Sequence, residues 1–246
     1  MRRVLCILLA LCCLLPLAAQ AEDSLTLLTA DTVDEVNQFV LLPQGTEIPA
    51  PQAGSIRFVS LNSTDPAFRA GMWKNDRYDL TTKAGGYRAD MNNLHSRAAY
   101  CMAMSYLGVD VTPVMMSELA GARDVSAPYD GVTRKLGKVE RVEPRAYVFD
   151  TMVENYLTDP SYSPVYVYLR RPDGKTHALL IIGVIPDTGR YIVLDPSGMW
   201  ANGVQYRIYM MSFNKSRRQV LNSTFRKEYT GSEILALYQW RLVEEE

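Results

Sequence analysis

The sequence predicts an α+β fold, with helices in the middle of the chain and an antiparallel sheet towards its C-terminal end. Three observations carry this. Apolar segments between residues 96 and 158 are bounded by helix caps and stops. After Pro164 the chain turns to short runs rich in Val, Ile and Tyr, and Pro172-Asp173-Gly174 joins the first two runs through a tight turn.

Taken in order, the chain opens on MRRVLCILLALCCLLPLAAQA, where Arg2 and Arg3 precede an apolar stretch from Val4 to Leu15 and Ala19-Gln20-Ala21 offers the small residues of a cleavage site. Residues 1–21 therefore read as a signal peptide, and the protein as exported to a periplasmic or extracellular location. No later stretch approaches the ~20 apolar residues that cross a bilayer, so no membrane span is expected after cleavage. Residues 22–90, rich in Pro, Gly, Asn and Thr, read as an irregular extension wrapped on the domain, with one strand candidate at Ser55 to Leu61; residues 91–246 form the domain itself.

SRAAYCMAMSYL, from Ser96 to Leu107, has almost no polar side and is followed by Gly108, which predicts a buried central helix with a left-handed stop. Ser96 is placed to cap it. Thr112 and Pro113 open a second helix that Gly121 ends. A third is expected from Pro128 to Leu136 ahead of Gly137, and a fourth from Thr151, where Thr151 and Glu154 suit a capping box, to the residues before Asp159-Pro160. Strands are expected over Val165 to Arg171, Thr176 to Ile185, Arg190 to Leu194 and Val204 to Met211. THALLIIGV is nearly all apolar and should be central, whereas VQYRIYM alternates and should have one wet face.

Charge and cysteine usage narrow the function. Lys and Arg number 26 against 27 Asp and Glu, and the densest basic cluster, Lys215 to Arg218, is short, so nucleic acid is not an expected partner. Cys6, Cys12 and Cys13 leave with the signal. Cys101 then stands alone, either a reactive thiol or an inert core residue. With only His95 and His177 besides, no metal site and no cofactor are expected.

The run SRAAYCMAMSYLG, then TPVMMSELAG, then HALLIIGV and RYIVLDPSG, resembles the double-glycine (bacteriocin-processing) cysteine peptidases of the papain superfamily over roughly residues 93–198. The resemblance implies a papain-like fold, in which a buried helix packs on an antiparallel sheet, and a stand-alone, exported thiol peptidase acting on a peptide or protein substrate. In that chemistry a thiolate attacks a peptide carbonyl, so the sulfur is set at a helix N-terminus beside an imidazole. The resemblance gives His177 the role of that imidazole and Asp195 the carboxylate that fixes its tautomer. The two meet only if the hairpin between them centres near Pro186, or if a bulge accompanies the better turn, Asp187-Thr188-Gly189.

The nucleophile position admits more than one register. Aligned without gaps, the cysteine slot holds His95, Ser96 follows it, and Cys101 lies nearly two turns inside the helix, where the helix dipole no longer favours a thiolate. A second register starts the helix near Tyr100 and makes Cys101 the nucleophile. His95 then stands where the family has its oxyanion-stabilising glutamine, and its imidazole N–H could take that part. Ser96 is a third candidate. Three functions follow: a Cys101-His177-Asp195 peptidase, a catalytically degenerate papain-fold module that binds peptides or a protein partner, and a cell-wall peptide amidase. Oligomeric state is not legible.

Overall fold

The computed structural model describes residues 53, 54, 56, 94–120, 127–142, 149–185, 188–201 and 204–243. Nearly all of the expected signal peptide and extension, with the strand candidate apart from Ile56, lies outside them. The described residues form an α+β arrangement with mostly antiparallel sheets.

Helix α1 spans Leu94–Tyr106. Every residue from Ser96 to Tyr106 is buried, because Ala98, Ala99 and Ala103 let neighbouring elements close on all sides. It begins at Leu94, so Ser96 lies inside the first turn; the expectation that Ser96 caps the helix, and the register that opens it near Tyr100, are both corrected. The chain leaves α1 through Gly108 at φ 74, where a side chain would also meet the backbone nitrogen of Ala53 at 3.4 Å. Gly54 donates from its backbone to Tyr106 O at 2.7 Å and Ile56 packs on the same core, so this part of the N-terminal region is pinned to the end of α1.

Helix α2, Pro113–Ala120, is capped as its sequence suggests, Thr112 Oγ1 accepting from the Met115 amide at 3.2 Å. Helix α3 spans Asp130–Leu136 and stops at Gly137, φ 69. Strand β1 follows at Val139–Arg141. Helix α4 spans Phe149–Thr158, two residues longer at its start than the sequence suggested, so Thr151 is helical and the Thr151/Glu154 capping box does not form.

The remaining strands are β2 Val165–Arg170, β3 Thr176–Ile185, β4 Arg190–Ala201, β5 Val204–Asn214, β6 Gln219–Ser223, β7 Glu233–Tyr238 and β8 Trp240–Leu242, with a 3-10 turn at Lys227–Tyr229. Strands β2 to β7 close into a barrel in sequence order, and β8 pairs with β1 beside it. Between β2 and β3 the Pro172-Asp173-Gly174 turn forms, with Gly174 at φ 81 and Asp173 Oδ1 accepting from the Lys175 amide.

Alternation divides the apolar side chains into two cores. Val165, Val167, Leu169, Leu179, Ile181, Val193, Tyr209 and Met211 form one, inside the barrel. The other joins Tyr166, Ala178, Leu180, Ile192, Leu194 and Ile208 to helix α1. Tyr209 and Met211 are buried in the barrel core and Ile208 on the α1 side, so over this part of β5 the face expected to be wet, that of Gln205 and Arg207, turns into the barrel and neither face is wet. Helix α4 adds Phe149 to the barrel core against Tyr191 and Phe213, which marks one barrel end. His177 and Asp195 lie at the other, as the β3–β4 register requires.

Gly108→Ala should cost about 1–2 kcal/mol, through left-handed strain and contact with Ala53. Gly137→Ala, whose added carbon meets nothing within 4 Å, should cost about 1 kcal/mol from strain alone. Urea denaturation of the two variants measures the difference contributed by the N-terminal segment.

Candidate active site

Strand pairing sets the site. Ile185 pairs with Arg190 across the turn, and the register shifts between Ile181 and Gly183, so Ile182 is the extra residue of a bulge. That shift draws Asp195 towards the start of β3. His177 and Asp195 share the parity of Leu179, Ile181 and Val193, and so face the barrel interior together. His177 Nε2 lies 2.8 Å from Asp195 Oδ1.

Asp195 is fully buried, and its carboxylate is surrounded by donors. The Ser197 amide donates to Oδ1 at 2.8 Å, Tyr209 OH to Oδ2 at 2.7 Å and Tyr229 OH to Oδ2 at 3.2 Å, while the Arg226 guanidinium stands 4.0 Å from Oδ2. Burial alone would raise its pKa. The charge and hydrogen bond of His177, the charge of Arg226 and the Tyr209 hydroxyl outweigh burial and hold the carboxyl below the usual range. Burial and the Asp195 charge push both tyrosine hydroxyls up, so they remain donors. Tyr229 also stacks on His177, with ring centres 5.1 Å apart and planes 17° apart, and carries Arg226 on its ring. The ring thereby fixes the plane of the imidazole.

His95, in the first turn of α1, meets this pair. Its ring centre is 5.1 Å from that of His177, with planes at 45°. Burial, then the neighbouring His177, lower its pKa to about 3 against a smaller opposing pull from Asp195, so the imidazole is neutral near neutral pH. Its Nδ1 is buried without a hydrogen-bond partner among the described residues.

Cys101 does not join them. Six residues beyond His95 it stands ~9 Å further along the helix and about 120° around it. It is 1% exposed in the α1 core, with its thiol directed at Met116 Sδ at 3.5 Å. Ser96 is equally committed: its Oγ accepts from Tyr129 OH at 2.7 Å and shares a 2.5 Å hydrogen bond with Tyr166 OH. The structure thus brings together His95, His177 and Asp195, and leaves Cys101 and Ser96 in the packing.

Tyr209, Tyr229 and Arg226 were not singled out from the sequence. The alternation of VQYRIYM pointed away from Tyr209, since it puts that residue with Gln205 and Arg207 on the side read as wet. Tyr229 and Arg226 lie in a 3-10 turn and its approach, where no periodicity marks which side chain turns inward.

No protein-family model matches the chain, and no curated protein matches it. Among the described residues no group of three or more His, Cys, Asp or Glu side chains could hold a metal ion, and no helix is long and apolar enough to cross a membrane.

Two outcomes follow. Asp195→Ala leaves His177, Tyr209, Tyr229 and Arg226 facing an empty position and should cost about 3–5 kcal/mol in urea unfolding. His95 sets a pH dependence, since its native pKa of about 3 lies below the ~6.5 of an unfolded imidazole. Below pH ~6.5 the unfolded chain takes up a proton that the native site refuses, so stability falls towards acid, by roughly 2 kcal/mol at pH 5. His95→Gln should flatten that part of the profile, while loss from Asp195 begins only as pH falls through its unfolded pKa of ~3.9.

Proposed function

We propose that this chain is an exported, papain-like module in which His95 occupies the place of the catalytic sulfur, and that its cleft holds a peptide or a segment of a protein partner without cleaving it. One observation carries the reading. The side chain in the first turn of α1 that stands against His177 is an imidazole, while the thiol of Cys101 is buried on Met116. An imidazole whose pKa burial lowers to about 3 is weakly basic and so a weaker nucleophile than a thiolate. The apolar opening of the chain, the buried helix against an antiparallel sheet and the His177–Asp195 hydrogen bond support the papain-like assignment.

The barrel also bears on the mode of binding. Strands β2 to β7 close on one another, so none of them offers an open edge for an added strand. On the barrel itself, recognition then falls to groove contacts near the first turn of α1 and the His177 end.

A second reading, hydrolysis by a Cys101-His177-Asp195 site on peptides or cell-wall peptide amides, has the aligned His177–Asp195 pair in its favour. It requires Cys101 to leave the α1 core and reach the far end of the helix.

Alkylation separates the two. In native protein at neutral pH, iodoacetamide should modify Cys101 slowly. His95→Cys in a Cys101→Ser background should place a thiol beside His177 that reacts at least tenfold faster, with the advantage reduced when Asp195→Asn is added, since a neighbouring imidazole raises the thiolate fraction. Fast labelling of Cys101 in the unmodified protein, or a sluggish thiol at position 95, would sink the reading.

A further inference from the structure

His95 and His177 are the two histidines of the chain, and the fold sets their ring centres 5.1 Å apart. At that spacing, facing ring nitrogens fall near the ~3.3 Å separation of two nitrogens on one tetrahedral ion with metal–nitrogen bonds of about 2.0–2.1 Å. The Nδ1 of His95 is one of eight buried side-chain polar atoms with no hydrogen-bond partner among the described residues, and it belongs to the imidazole that stands beside His177.

We propose that His95 and His177 form a two-imidazole site for a divalent transition metal of the zinc or copper class, with Asp195 as the carboxylate behind the His177 ligand. The proposal rests on where His95 stands and not on what the cleft binds. Exchanging a nucleophilic sulfur for an imidazole turns a nucleophile–base pair into a chelating pair, and imidazole suits these ions. The supporting shell is already built. Asp195 accepts at Nε2 of His177, which leaves the Nδ1 lone pair as the ligand atom, and Tyr209, Tyr229 and the Ser197 amide hold that carboxylate in turn.

Among the described residues no third His, Cys, Asp or Glu completes a ligand set. The proposal thus asks for two protein ligands, with water or a group from the bound partner in the remaining positions, and a site weaker than a closed four-ligand centre.

Calorimetric titration of the protein with zinc chloride at pH 7 tests this. One ion per chain is expected, with affinity reduced at least tenfold by His95→Gln and by His177→Gln, about tenfold by Asp195→Asn, and unchanged by Cys101→Ser. Because the last two site variants are exposed to unfolding, copper(II) electron paramagnetic resonance supplies a second readout on the tolerant position: nitrogen coupling from two imidazoles in the wild type and from one in His95→Gln. No saturable binding of either ion, or binding that His95→Gln leaves intact, overturns the proposal. The alkylation outcome does not decide it, so the two readings fail separately.

Discussion

The arrangement of this end of the molecule depends on one fully buried carboxylate. Asp195 collects a hydrogen bond from β3 through His177, one from its own strand through the Ser197 amide, one from β5 through Tyr209 and one from the 3-10 turn through Tyr229, with Arg226 nearby. An ion taken out of water without such partners would cost several kcal/mol. The partners hold only if the strands keep register, so the charge acts as a check on assembly as well as an orienting group for the imidazole. An apolar side chain of similar shape would leave the hydroxyls of Tyr209 and Tyr229 without their acceptor.

Much of this could be read from the amino acids, and the limits have physical causes. The helix stops at Gly108 and Gly137, the Thr112 cap and the Pro172-Asp173-Gly174 turn were legible because each depends on a local backbone angle or a nearby side chain. Strands β6, β7, β8 and β1 were not. They are short, and what makes them strands is pairing with distant segments, β8 with β1 and β7 with β2, which no local pattern encodes. The capping box at Thr151 failed for the complementary reason, since Phe149 gains the company of Tyr191 and Phe213 by starting the helix earlier. Tertiary burial there outweighed a local signal.

The site was legible in the same measure. His177 and Asp195 share a face because the hairpin carries a bulge at Ile182, and both the turn and the need for that bulge follow from counting residues between them. Which residue meets His177 from α1 depended on where the helix begins. Helical geometry then leaves little choice, because a residue six positions on is displaced by more than a turn and faces another way. A start at Leu94 puts His95 at the site and Cys101 in the core beside Met116.

The His177–Asp195 pair is bound into the fold by more than its own hydrogen bond. His177 is stacked on Tyr229, Tyr229 is bound to Asp195, and Asp195 ties together three strands and a turn, so removing any member leaves the others desolvated and unpaired. The thiol of Cys101 has no part in that network, since it lies on Met116 in the α1 core. Asp195 is thus the residue that holds this end of the barrel in shape, with His95 packed against the ring that it orients.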